Sequence, residues 1–270
     1  MILDKYAGVE KPQEKQNIPL GTNYLEVVTN AFTVWSHLLL KTAAPYPGAG
    51  IMQRDFLLEE AVRFLPVRLP PVVSEKSYFQ PIETLPFSHR PFAGLFYTAM
   101  LEKGVEKLIV PGDAKDIALW GYKMKTGTVD VLADSRSIGV RSTGGICINR
   151  GCVANFAAEA EGGIHVNYGV VHYYGSQAKN IIFINHGHAS VTPHIVGGIY
   201  FNYAMLCGHR ENFIYNATSR ILFYDKAITP HLRKILRDVC AATQNKIDSS
   251  YITSLVQKIK EDITQSTQHL

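Results

Sequence analysis

The chain has 270 residues, 46% of them hydrophobic and 19% charged, with a formal net charge of +4. That is the composition of a folded protein with ample core, and its scattered lysines and arginines argue against nucleic acid as a partner. No apolar run approaches the roughly 18 residues of a membrane span. The opening MILDKYAGVEKPQEK lacks a secretory signal's apolar stretch, so a cytoplasmic location is expected.

Residues 1–22 are polar and read as an arm. From Asn23 onward, Leu25, Val28, Phe32, Trp35 and Leu39 have helical spacing, with the Asn at the cap and the end before Pro45. A shorter amphipathic helix is expected over Asp55–Phe64, and a proline-rich extended connector over residues 66–87. A third helix starts at Ser88, with Pro91 in its first turn and Gly104 just past its end. The pattern then shortens to strands at Lys107–Val110 and Thr128–Val131, with a last one at Ile221–Tyr224. Beyond it, helices are expected from Thr229 and over about Ser250–Thr264, where Ile252, Leu255, Val256, Ile259 and Ile263 share a face.

Between those strands one phrase is written four times: Ile146-Cys147-Ile148-Asn149, Ile164-His165-Val166-Asn167, Ile182-Phe183-Ile184-Asn185 and Ile199-Tyr200-Phe201-Asn202. Its asparagines are 18, 18 and 17 residues apart. A strand-length unit at constant period is the signature of a solenoid, so each unit makes one coil of a parallel β-helix. The expected fold is mainly β with helical caps, right-handed by preference, about 18 residues per coil, with α-helices at both ends. Residues 1–105 form the arm and helical cap, 106–226 the β-helix, and 227–270 helices packed on it.

Stacking predicts columns. The isoleucines at 146, 164, 182 and 199 would point inward, as would Ile148, Val166, Ile184 and Phe201. Cys147, His165, Phe183 and Tyr200 would point outward. The asparagines would sit at the turn and bond to one another. Gly151, Gly169 and Gly187, each two positions later, would supply positive φ at the corner.

The stretch Ile109–Gly187 resembles the GXGXG repeat domain, the C-terminal β-helix of the large subunit of glutamate synthase, which recurs in one of the subunits of formylmethanofuran dehydrogenase. The residues that carry the resemblance are Ile109-Val110-Pro111-Gly112-Asp113, Gly121-Tyr122-Lys123-Met124-Lys125-Thr126-Gly127 and Val129-Asp130-Val131. Gly139, Gly144-Gly145 and Gly162-Gly163 follow in the next turns. The resemblance implies a right-handed β-helix that supports neighbouring catalytic units.

Six of the ten histidines fall between His165 and His209. On the 18-residue period His172 adjoins Ser190, Ser176 adjoins His194 and Cys147 adjoins His165, so nucleophile–base pairs are available. The catalytic candidates are therefore His172, Ser190, Cys147 and His165. A triad also wants an orienting carboxylate, and only Glu159 and Glu161 lie between Asp134 and Glu211. His186, His188 and His194 invite a metal, but Gly187 bends the chain between the first two and no carboxylate or Cys completes a tetrahedral set. No metal and no cofactor are expected.

The four cysteines (Cys147, Cys152, Cys207 and Cys240) form no C-x-x-C pair and read as reduced thiols. The binding candidates are His186, His188, Tyr173 and Tyr174, on a contact face that Tyr168 and the outward column would extend. The reading that follows is non-catalytic: a scaffold or binding subunit with a protein partner or self-association, set within an oxidoreductase-like complex as the resemblance implies. The alternative is an acyltransferase of the hexapeptide-repeat type with a histidine base. Its six-residue series would run Ile148, Ala154, Ala160, Val166, His172, Ala178, Ile184, Ser190 and Val196.

Overall fold

A computed structural model describes residues 23–46, 48, 50–66, 68–179, 181–191, 198–202, 205–208, 213–216 and 221–224, those after 190 as backbone only. Three helices come first: α1 (Tyr24–Thr42), α2 (Ile51–Phe64) and α3 (Ala93–Glu102). Asn23 caps α1 as expected, its side chain accepting the Glu26 N–H at 3.4 Å. α2 begins four residues earlier than its apolar pattern suggests, at a Gly50 cap with no side-chain bond. Arg90–Phe92 forms a 3-10 turn ahead of α3, so the third helix starts later than Ser88.

The proline-rich connector is not simply extended. It holds a short strand, β1 (Val72–Val73), and 3-10 turns at Lys76–Tyr78 and Gln80–Thr84. Tyr78, Phe79, Ile82 and Leu85 are buried there. Prolines at 81 and 91 suit 3-10 entry, and these four apolar residues supply the anchors.

From Lys107 the chain coils. One sheet has nine strands in the order β1-β2-β3-β5-β7-β9-β11-β14-β13. Its further members are β2 (Lys107–Val110), β3 (Thr128–Val131), β5 (Ile146–Asn149), β7 (Ile164–Asn167), β9 (Ile181–Asn185), β11 (Gly198–Asn202), β13 (Phe213–Asn216) and β14 (Ile221–Tyr224). A second sheet runs β12-β10-β8-β6-β4. It is built from β4 (Ser135–Ile138), β6 (Cys152–Phe156), β8 (Val170–Tyr174), β10 (His188–Val191) and β12 (Met205–Gly208).

The fold is thus a parallel β-solenoid. Register between coils follows the repeat, with Asn149 opposite Asn167, Asn167 opposite Asn185 and Asn185 opposite Asn202. Among the described strands, only the pairings at the end of the large sheet are antiparallel, β14 on β11 and β13 on β14. A third side closes each coil. Backbone bonds there join Arg141 N–H to Ala158 O, Glu161 N–H to Ser142 O and Lys179 N–H to Ala160 O at 2.8–2.9 Å. Its corner has its own column: Lys123, Arg141, Glu159 and Gln177, each 18 residues from the next, all have φ between 53° and 58°.

The helical segment closes the first coil. Gly94 of α3 lies so close to residues 118–120 that a Cβ would stand 2.0 Å from Ala118 O. Thr98 Oγ1 accepts the Gly121 N–H at 2.8 Å, and Ala118 N–H donates to Pro91 O at 3.0 Å. Phe32, Trp35, Phe79, Phe96, Tyr97 and Trp120 pack around this contact, Phe79 stacked on Tyr97 and the other ring pairs edge-on or tilted. The helices expected over residues 227–270 lie outside the described residues. No described helix is long and apolar enough to cross a membrane.

The columns are inverted relative to expectation. Cys147, His165 and Phe183 point into the solenoid and are buried, as are Asn149, Asn167 and Asn185. Phe183 stacks on Tyr174 with centroids 3.6 Å apart, and His165 meets Phe156 edge-on, so these side chains bridge the two sheets. Such aromatic contacts add about 0.5–1.5 kcal/mol beyond area burial. The isoleucines take the other face, where Ile164, Val166, Ile182 and Ile184 are buried nonetheless and Ile146 and Ile148 are half-buried.

The asparagines form a ladder inside the coil. Asn149 Nδ2 donates to Asn167 Oδ1, and Asn167 Nδ2 to Asn185 Oδ1, each at 2.8 Å. Gly151, Gly169 and Gly187 serve close approach, not positive φ. A Cβ at Gly169 would lie 2.0 Å from Gly151 O, and one at Gly187 2.1 Å from Gly169 O.

Candidate functional site: the outer face of the five-stranded sheet

The outward side chains of this sheet are set by where alternation holds and where it breaks. In β8, Val171 and Tyr174 point inward and are buried, while Val170, His172 and Tyr173 are exposed. Two consecutive residues therefore face outward between two inward ones. β6 follows the same course, with Val153 and Phe156 buried and Asn155 exposed. In β10, His188 is exposed and Ala189 buried, and its register against β8 shifts between Ala189 and Val191. Stacking aligns Cys152, Val170 and His188 in one column, with His172 and Tyr173 a step further along the middle strand.

At the centre of this face two groups meet. Cys152 Sγ lies 3.3 Å from His172 Nε2, across 20 residues of sequence. The backbone N–H of Cys152 donates to Asp134 Oδ1 at 2.8 Å, which fixes the strand entry. Partial burial raises the Cys152 thiol above its ordinary value, and the Asp134 carboxylate adds to the effect. The thiol is thus protonated at neutral pH and is placed to donate to the imidazole. Tyr173 is 60% and Val170 39% exposed, so the pair sits among apolar surface.

The expected dyads are not those formed. His172 pairs with Cys152, not Ser190, because side chains lean diagonally across coils as well as vertically. Cys147 and His165 do occupy neighbouring rungs, but inside. A Cβ at Gly139 would stand 3.0 Å from Cys147 Sγ and from His165 Nδ1. Burial pushes the Cys147 thiol up to about 12 and the His165 imidazole down to about 4. His165 Nε2 lies 3.4 Å from Gly162 O, while its Nδ1 has no hydrogen-bond partner among the described residues. A neutral, fully enclosed pair is core, out of a substrate's reach. His194, the expected partner of Ser176, lies outside the described residues.

The four binding candidates divide. Tyr173 and His188 share the outer face. Tyr174 is in the core, stacked on Phe183. His186 is round the corner from His188, its ring parallel to Tyr168 at 5.0 Å. The Arg150 guanidinium covers Tyr168 at 4.9 Å, and it is held in turn by both oxygens of Asp130 at 2.7 and 3.2 Å. The sequence reading missed Cys152 and Asp134. The signal left in the sequence is the period plus two residues, which separates Cys152 from His172.

A separate concavity of about 410 Å³ lies at the helical end, lined by Lys76, Arg90, Asp113 and Lys115 among others. Lys76 and Asp113 pair there, which raises the lysine and lowers the carboxyl from their ordinary values. None of the catalytic or binding candidates lines it. No protein-family model, curated protein or solved structure matches the chain.

Proposed function

We propose that this chain is a β-helical binding subunit that works through the outer face of its five-stranded sheet, with a protein as partner. The observation that carries the reading is the outward doublet His172-Tyr173 beside Val170 and His188. Alternation would bury one member of such a doublet, yet both are exposed, and Tyr173 is more than half exposed. A large aromatic ring held on a rigid strand loses little freedom on binding and supplies much contact area. The resemblance to the GXGXG domain adds the kind of setting, a scaffold beside catalytic subunits in an oxidoreductase-like assembly. Free thiols at Cys147 and Cys152 fit a reducing, cytoplasmic site of action.

The acyltransferase reading gains less from the geometry. In its six-residue series Ala160 and Ala178 are inward and buried, but His172 is exposed and Ile148 and Val166 stand on the outer side of the large sheet. The test is affinity capture from native lysate with the parent chain and with Tyr173→Glu. The expected result is a partner retained by the parent and lost by a variant of unchanged melting temperature. Identical protein sets from both baits, or a trimer that binds coenzyme A, would overturn the reading.

A further inference from the structure

We propose that Cys152, His172 and His188 form a binding site for a zinc-type divalent ion on this same outer face. The site does not depend on a protein partner. Its first two donors are already placed. Zinc–sulfur and zinc–nitrogen bonds of about 2.3 and 2.0 Å meeting at a tetrahedral angle hold the two donor atoms about 3.5 Å apart. Cys152 Sγ and His172 Nε2 are 3.3 Å apart. The contact that now carries a thiol proton has the bite of a chelate. Binding replaces that proton with the metal, and the proton leaves to solvent.

The third donor follows from register. Cys152, Val170 and His188 stack in successive coils, so the two outer members are about 10 Å apart at their Cα atoms, two strand spacings. A cysteine thiolate and an extended imidazole, with their metal bonds, span about that distance. An ion over Val170 is then reached by Cys152 from one coil, His188 from the other, and His172 from the coil between. As the side chains stand, no three His, Cys, Asp or Glu among the described residues are close enough to share an ion. His188 must rotate toward Val170, and its exposed position leaves it free to do so.

The electrostatics favour a cation. Asp134, one coil below Cys152, puts a carboxylate beside the pair, while the Arg136 guanidinium lies over the Tyr46 ring at 5.6 Å and that of Arg150 is held by Asp130. Three protein donors, one of them a thiolate, leave a fourth position open to water or to a ligand. The donor set Cys-His-His selects a borderline-soft ion over magnesium or calcium.

The test uses the full chain, purified reduced and freed of metal by a chelator. Zn²⁺ is titrated against a chromophoric chelator, and Co²⁺ is added separately as an optical probe. The expected result is one tight equivalent of Zn²⁺ and a thiolate-to-cobalt charge-transfer band. Cys152→Ser should abolish the band. His172→Ala and His188→Ala should each weaken Zn²⁺ by roughly tenfold or more, at least the loss that removing a supporting partner causes at metal sites. All three changes are on the exposed face, and melting curves matching the parent verify their folding. A cobalt spectrum without the thiolate band overturns the proposal. So does Zn²⁺ affinity unchanged in Cys152→Ser or in His188→Ala.

Discussion

The asparagine ladder offers the sharpest test of the coil geometry, through Asn167→Ala. Asn167 Oδ1 accepts from Asn149 Nδ2 at 2.8 Å and from Gly169 N–H at 3.0 Å. Its Nδ2 donates to Asn185 Oδ1 at 2.8 Å and to His188 O at 3.0 Å. Removing the amide deletes four hydrogen bonds in a fully buried rung. Asn149 Nδ2 keeps Gly151 O and Val170 O, and Asn185 Oδ1 keeps Gly187 N–H, so those groups are only weakened. Gly169 N–H loses its side-chain acceptor. At about 1 kcal/mol per lost bond, with an orphaned buried group costing about 1–3 kcal/mol, the expected loss is about 4 kcal/mol. That is a large share of the roughly 5–15 kcal/mol of a typical domain. Urea unfolding should show a lower midpoint with an unchanged slope. A loss below about 0.5 kcal/mol, the usual size of a surface change, would refute the ladder. Asn167→Asp sharpens the test, since it retains the acceptor and turns the donor into a second acceptor facing Asn185 Oδ1. Its folded-state pKa is therefore raised above the unfolded value near 3.9. Relative to the parent, it should be least unstable in acid and lose stability as pH rises through that raised pKa.

Other outcomes follow from the same packing. Gly169→Ala should destabilise by more than about 2 kcal/mol in urea, because its Cβ would stand 2.0 Å from the Gly151 carbonyl and only backbone can move. His165 is held neutral by burial, its pKa lowered from 6.5 to about 4. Between those values the unfolded chain binds a proton that the folded chain does not, so stability falls as pH drops from about 6.5 to about 4, by roughly 3 kcal/mol for this residue. His165→Leu should flatten that limb of the pH–stability curve, and an unchanged limb would count against it. Under native conditions a thiol alkylating agent should label Cys152 and spare Cys147, whose thiol is enclosed and pushed up to about 12. Peptide mapping that finds Cys147 labelled first would contradict the inward column.

The period, the coil and the asparagine stacking were legible in the sequence because they depend only on spacing. The facing of the strand was not. β7 and β9 are buried along their whole length, and a strand buried on both sides reads as a continuous apolar run with no polar face to mark the outside. Hydrophobicity therefore favoured the isoleucines for the interior, whereas the chain puts Cys147, His165 and Phe183 there. What the pattern omitted was the partner surface. Phe156 and Tyr174 of the small sheet need flat or aromatic neighbours, and His165 and Phe183 provide them. The small sheet was itself hard to see, since doublets such as His172-Tyr173 break the two-residue alternation that marks a strand. The glycines after each Asn were read as φ-permissive when their need is space, and sequence alone does not separate those two demands.

The location of chemistry in such a solenoid follows from one geometric point. Vertical neighbours are 18 apart, but long side chains lean along the strand and meet the coil above two residues out of step. Arg150 reaches Asp130 across 20 residues, and Cys152 reaches His172 across 20. The vertical pairs include like on like or core on core, Asn149 on Asn167, Cys147 beside His165 and Tyr168 on His186, and also two ion pairs, Arg141 with Glu159 and Lys179 with Glu161, each at 2.8 Å. Identical register favours stacking of similar shapes, which stabilises the coil. Unlike groups pair at both offsets, and on the outer face of the five-stranded sheet the thiol and the imidazole meet on the diagonal. The period thus builds the scaffold, and on the outer face of the small sheet the offset of two decides which thiol meets which imidazole. Moving the cysteine by Cys152→Ala with Ala154→Cys puts the thiol directly beneath His172, 18 residues away, without changing composition. If the diagonal is what matters, that double variant should fold like the parent and lose the thiolate–cobalt band; a retained band would show that vertical neighbours serve equally well.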